Sequence, residues 1–311
     1  MKKIITALIV TLGLFSLVAC NQSANQELGS SKVDEGYIAI TAPDGKEIMV
    51  PEKIDSIISM APSFTEVIMD LGYGDKLIAV DKNSQGIEGL PEDVLYLDMM
   101  TPDVEQIIAL DPDLMWVSTM TTKDGAEHLL PLEKEGIPIV YIPSSDSIEG
   151  IYEDLIFMSK ILNEEEKGQA LVDSMKAKIA EIQEKSKAVT TVKKVYFEIS
   201  AAPHLYSFGK GVFLDEMITM IGAENVLREL DGWKSISEEI VLAANPDVII
   251  TNIDYIEDPV GEIKSRSGWE NITAVKNDEV YYIDNISSSR SNHNIIKALE
   301  EMARVIYPEV Y

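Results

Sequence analysis

Cysteine is all but missing from this 311-residue chain. Cys20 is the only one, which excludes an internal disulfide and a thiolate metal site. Histidine is nearly as scarce: His128, His204 and His293 are scattered, and a free metal ion would want them clustered with carboxylates. Positive charge is short as well, with 26 Lys and Arg against 53 Asp and Glu and a formal net charge of −27. So acidic a surface repels phosphate backbones and anionic headgroups, which makes nucleic acid a poor partner and excludes a polybasic hold on a membrane. Neither a Gly-x-Ser-x-Gly elbow nor a His-Glu-x-x-His motif occurs, so an extracellular hydrolase finds little support and the chain is expected not to be an enzyme. After the first twenty residues no apolar run is long enough to span a bilayer.

What the chain does have is one phrase written twice. Glu105-Gln-Ile-Ile-Ala-Leu-Asp-Pro-Asp113-Leu-Met-Trp-Val117 is answered, without a gap, by Glu239-Ile-Val-Leu-Ala-Ala-Asn-Pro-Asp247-Val-Ile-Ile-Thr251. Each copy opens with a glutamate on a short amphipathic helix, stops where proline disfavours helix in the residue before it, and runs into an apolar strand. The copies lie too far apart for a solenoid and fit two lobes of similar design. Two lobes imply a cleft, and a cleft implies a ligand.

At the N-terminus, Lys2 and Lys3 precede an apolar run from Ile4 to Val18 with the shape of a secretory signal. Leu17-Val18-Ala19-Cys20 resembles a bacterial lipobox, after which the cysteine carries the lipid. Residues 1–19 are therefore read as a lipoprotein signal peptide and 20–36 as the lipidated Cys20 with a flexible, Ser/Asn/Gln-rich linker. The mature protein is expected on the outer face of the bacterial cytoplasmic membrane, held by acyl chains.

Strands and helices then alternate at a spacing that indicates a parallel sheet with helices on its faces. A β-hairpin around Pro43-Asp44-Gly45 leads into a first lobe over 37–162. Ser63 or Thr65 is expected to cap its first helix, and a further helix is expected near Ala126–Lys134. Residues 163–190 read as one connecting helix, with Asn163 as N-cap, Glu166 closing a capping box, and an apolar stripe of Leu171, Val172, Met175, Ile179 and Ile182. At about 1.5 Å per residue this is a strut of roughly 35 Å. A second lobe follows over 191–311. The fold class is α/β, two Rossmann-like lobes joined by one long rigid helix.

Several features together resemble the substrate-binding lipoproteins of ATP-driven (ABC) importers for iron chelates, haem and cobalamin. They are Ser59-Met-Ala-Pro-Ser-Phe-Thr-Glu66 with Leu71-Gly72, the two Glu…Pro-Asp phrases, Gly222-Ala-Glu-Asn225-Val, and Trp269-Glu-Asn-Ile-Thr-Ala-Val275 leading into Val280-Tyr281. The resemblance implies a monomeric receptor that hands its guest to a permease and its ATPase subunits. In that family each lobe shows the permease a glutamate, and the matching positions are Glu105 and Glu239. Both would also be favoured there simply as acids at the positive end of a helix dipole.

Ligands of open α/β sheets sit beyond the carboxyl ends of the strands. By that rule the cleft is lined by Met60, Pro62, Ser63, Lys82, Met99, Met100, Thr119, His204, Tyr206, Phe208, Tyr255, Arg290 and His293. Met100-Thr-Pro-Asp-Val-Glu105 is similar to a stretch of the haem-binding members, where the methionine is an axial ligand. Met100 is thus either an iron ligand, with Tyr255 or His293 as the second, or ordinary cleft lining. Arg290, Lys82 and Lys210 could meet an anionic chelate, although Arg290 equally suits a solvent-facing loop. Tyr206, Phe208 and Tyr255 could stack on the same chelate, whereas cobalamin, neutral and bulky, would want aromatic walls rather than charge. The chain is expected to need no cofactor of its own.

Overall fold

A computed structural model describes residues Gly36–Tyr311 apart from Asp44. The signal peptide, Cys20 and the linker up to Glu35 lie outside the described residues. Strands β1 (Tyr37–Thr41) and β2 (Glu47–Pro51) form an antiparallel hairpin. Five strands follow: β3 (Ile57–Ser59), β4 (Leu77–Asp81), β5 (Leu95–Leu97), β6 (Leu114–Ser118) and β7 (Ile139–Ile142). They make one parallel sheet in the order β5-β4-β3-β6-β7. After the Glu165–Ser186 helix come β8 (Lys194–Glu198), β9 (Tyr206–Phe208), β10 (Glu224–Asn225), β11 (Trp233–Ser235), β12 (Val248–Thr251) and β13 (Val280–Tyr282). Of these, β10-β8-β12-β13 form a second parallel sheet, while β9 and β11 make a small antiparallel pair.

Strands buried on both faces have to be apolar throughout, and Leu114–Val117 and Val248–Ile250 are fully covered. Strand order reverses at the first strand of each lobe: β3 has β4 on one side and β6 on the other, and β8 has β10 and β12. These are the two switch points, and each leaves a crevice at the carboxyl ends of its central strands.

The repeated phrase builds the same joint in both lobes. The helices Val104–Leu110 and Glu238–Ala244 each end on a left-handed residue, Asp111 and Asn245, both with φ near 46°. Proline follows, and the next aspartate ties back to the start of the lobe's first strand. Asp113 accepts from the Asp55 and Ser56 amides at 2.8 and 2.9 Å, and Asp247 accepts from the Lys194 amide at 2.9 Å.

The connecting segment is one 22-residue helix, roughly 33 Å at about 1.5 Å per residue. Val172, Met175, Ile179 and Ile182 are buried along its stripe, and Glu181 pairs with Lys185 at 3.0 Å. Its start differs from expectation. Asn163 takes a left-handed φ of 54°, and the N-cap is Glu164, because the Ile148–Ile161 helix turns directly into this one and Asn163 is spent on the corner. Likewise Ala61 is the N-cap of the Pro62–Leu71 helix, ahead of Ser63 and Thr65, since Pro62 starts that helix without an amide to satisfy. The helix expected near Ala126–Lys134 is a 3-10 turn, Glu127–Leu129, running into Leu130–Lys134, where Pro131 sets the α-helical start.

Candidate functional site

The carboxyl ends of the two sheets meet through two sets of hydrogen bonds. On one flank the segment after β13 reaches the helix that follows β3. Arg290 forms an ion pair with Glu66 and donates to the Asn83 carbonyl at 3.2 Å. Asn292 donates to the Ser63 carbonyl at 3.1 Å and to the other Glu66 oxygen at 2.6 Å, while His293 meets Asp70 at 2.6 Å. On the other flank the loop after β7 meets the β9–β11 region. Trp233 Nε1 donates to Asp146 at 3.0 Å, and the Ile148 amide donates to Glu216 at 3.0 Å. In the first sheet these bridges fall at β3/β4 and at β7, and in the second at β13 and on the β8/β10 side. Both switch-point crevices lie between the flanks.

The second lobe's crevice is spanned by one tyrosine. Tyr255, on the loop after β12, is 65% exposed, and its hydroxyl accepts from the Ala201 amide on the loop after β8 at 3.0 Å. That bond fixes the phenol while leaving its ring free. His204 on the adjoining loop and Tyr206 at the start of β9 are exposed. In the first lobe the loop after β6 exposes Thr119 and Met120, with the Thr119 hydroxyl donating to Ser144 at 3.0 Å. Pro62 and Ser63 are half-buried at the end of β3.

The loop bearing the methionines is pinned by two carboxylates. Buried Asp81 accepts from the Met99 amide at 2.9 Å, and Asp98 accepts from the Met100 amide at 2.9 Å. Lys82 pairs with Asp98 at 2.6 Å, and this bond holds the Asp98 carboxyl below the usual carboxylate range. Both methionine side chains are half-buried. Glu105 and Glu239 are exposed, each in the first turn of its helix, where the dipole favours an acid.

Two expected cleft residues are elsewhere. Met60 is fully buried against Ile58, Leu97 and Met115, and Phe208 packs edge-on against Trp233 and tilted against Phe197. A strand end can turn its side chain into either covered face, and both of these turn inward. Arg290 and His293 belong to the bridge and line a groove of about 680 Å³ along the seam, with Glu66, Asp70 and Lys297. Asp70 is held below its ordinary range by its bond to His293, whose Nδ1 is buried with no hydrogen-bond partner among the described residues. His128 is exposed on the first lobe.

Sequence reasoning missed the partners of these groups, Glu66, Asp146 and Trp233; Asn292 falls within the stretch from Ser288 to His293 that it expected at the cleft. Glu66 carried a signal, an acid one turn into a helix that opens at a strand end. It also missed a buried network in the second lobe. Arg266 meets both oxygens of Glu198 at 2.7 Å, pairs with Glu262, and stacks 4.5 Å over Trp269. Burial opposes the Arg266 charge, but the two carboxylates outweigh it and hold the guanidinium protonated. Among the described residues no group of three or more His, Cys, Asp or Glu could hold a metal ion.

A model of the periplasmic binding protein family matches residues 57–286. The chain is 30% identical over 307 residues to an uncharacterized ABC transporter substrate-binding lipoprotein, YvrC, of Bacillus subtilis, covering 96% of both chains. It is 28% identical to a vitamin B12-binding protein of Vibrio parahaemolyticus, over 82% of this chain and 90% of that one. Among solved structures, a possible iron-binding periplasmic solute-binding protein of Staphylococcus epidermidis superposes with a TM-score of 0.74 at 28% identity, covering 82% of this chain and all of the other.

Proposed function

The chain belongs to the periplasmic binding protein family, substrate-binding proteins of ABC transporters, and from that premise we propose that it captures an iron chelate, siderophore or haem, between its lobes and delivers it to the permease. The observation that carries this reading is the pair of switch-point crevices held between two interlobe bridges, with the exposed ring of Tyr255 across one and Met120 on the loop of the other. No bond in the guest changes; affinity comes from the fit of the walls, and release from the permease drawing the lobes apart. Glu105 and Glu239 dock on arginines of the permease, and Cys20 carries the lipid that keeps the monomer at the outer face of the cytoplasmic membrane. In the haem form of this reading Met100 is one iron ligand and Tyr255 the other, since His293 is engaged with Asp70.

A cobalamin guest is the second reading, supported by the vitamin B12-binding relative and by the aromatic wall. Calorimetric titration with ferric siderophores, hemin and cyanocobalamin separates the two. Tyr255→Ala should weaken the guest that binds by tenfold or more with an unchanged circular dichroism spectrum. An unchanged affinity would remove Tyr255 from the site. Glu105→Ala with Glu239→Ala should abolish uptake in cells and leave affinity intact; lost affinity would contradict the docking role.

A further inference from the structure

We infer that the guest of this cleft is uncharged or cationic, and that an anionic chelate is discriminated against. The inference rests on the receptor reading above and names its substrate class. Three of the cations near the strand ends, Lys82, Lys210 and Arg290, already have carboxylates of their own, Lys210 lying 3.6 Å from Asp231, and Lys297 in the final helix lines the seam groove together with Asp70. Lys82 lies 2.6 Å from Asp98, and Arg290 is ion-paired with Glu66. The Glu66 pair is further fixed, because Asn292 and Asn294 hold the second Glu66 oxygen at 2.6 and 3.2 Å. Both side chains of that ion pair are close to nine-tenths buried. An anionic guest recruiting Arg290 would have to displace Glu66 and leave a buried carboxylate without its counter-ion, which is the expensive way to break such a pair.

The remaining charges of these loops are largely negative: Asp146, Asp254 and Glu257 are exposed, and the exposed Lys123 on the loop after β6 is followed in sequence by the exposed Asp124. Behind them stands a chain with a formal charge of −27, whose long-range field repels anions at low salt. What the walls offer freely is apolar or aromatic: Tyr255 at 65% exposure, Met120 at 49%, Ile286 at 50% and Tyr206 at 36%. Tyrosine faces carry the negative side of the ring quadrupole, so they accept an uncharged guest by stacking and favour a cationic one further. A neutral trihydroxamate complex or a corrinoid meets these conditions, and a tricatecholate or citrate complex of iron does not.

The test is calorimetric titration in 50 mM and 300 mM NaCl with ferrichrome and cyanocobalamin (uncharged), ferrioxamine B (cationic), and ferric enterobactin and ferric citrate (anionic). At least one uncharged or cationic probe should bind tenfold or more tighter than either anionic probe, and the gap should narrow at the higher salt. Glu66→Gln, which releases Arg290, should raise the affinity for the anionic probes relative to the uncharged one by about tenfold. Asp98→Asn, which releases Lys82, provides the same comparison away from the bridge should the first variant fail to fold. An anionic probe that binds as tightly as the others, or a ratio that neither variant moves, overturns the inference and leaves the receptor reading standing. Hemin, made anionic by its propionates, is titrated alongside: binding as tight as that of the uncharged probes overturns the inference, and if neither hemin nor any other probe binds, the receptor reading falls and the inference with it.

Discussion

The two lobes agree where their first strands begin and part company where those strands end. At the start, Asp113 and Asp247 do the same work, Asp113 accepting the two backbone amides that lead into β3 and Asp247 the one at the first residue of β8. At the end, β3 finishes on a hydroxyl cluster, in which Thr65 donates to Ser59 at 2.9 Å and lies 3.1 Å from Ser84. The equivalent strand β8 finishes on a buried carboxylate, Glu198, answered by Arg266. The repeated phrase thus supplies a common foundation, and the divergence is concentrated at the strand ends that face the other lobe. A fold can keep one joint through duplication while its rims take on different chemistry.

The largest effect should come from removing one side of the charged rim. Arg266→Met leaves Glu198 buried without a counter-ion and should cost about 3–5 kcal/mol in urea unfolding, whereas Ser59→Ala in the other lobe should cost about 1 kcal/mol. Equal losses would mean that the rims are energetically alike. Next come the joints. Asp113 also accepts from the Ser56 hydroxyl at 3.0 Å, a third bond that Asp247 does not match. Asp113→Ala should therefore lower stability by about 2–3 kcal/mol and Asp247→Ala by about 1 kcal/mol; the reverse order would break the hydrogen-bond account of the repeat.

The smallest effect concerns a second buried acid, this one without an arginine. Asp154, in the Ile148–Ile161 helix, is met by the hydroxyl and the backbone amide of Ser145, and burial outweighs both to push its carboxyl up from 3.8 to about 6. Because that pKa lies above the unfolded value, the stability linked to its proton is complete below about pH 4 and is lost as pH rises through about 6. Asp154→Asn should flatten the stability profile across that window and stabilise the protein at pH 7.5 by roughly 1–2 kcal/mol. An unaltered profile in thermal melts at several pH values would show that the carboxylate is better solvated than its burial implies.

Much of this architecture was legible because apolar runs and Pro-Asp stops are local signals. The repeated phrase yields helix, left-handed stop and strand in both lobes, at Leu110–Leu114 as at Ala244–Val248. The site was less legible. Strand-end position told which end of the sheet Met60 and Phe208 occupy, but in strands covered on both faces it does not tell which way a side chain turns. Arg290 could be nominated from its loop; its partner Glu66 stands 224 positions earlier and depends on how the lobes come together. Asn163 was misread for a more local reason. Its sequence context suits a helix cap, yet two consecutive helices needed a left-handed corner, and asparagine tolerates that conformation well.

Of the three tryptophans, Trp116 and Trp269 are fully enclosed, and only Trp233 touches both halves of the molecule, through its bond to Asp146. Separation of the halves on that side would exchange a carboxylate for water at a single indole and leave the other two unaffected. The protein therefore carries its own optical gauge, a change in emission that belongs to Trp233 over the steady background of the two enclosed indoles, from which opening and closing can be followed without attaching a dye.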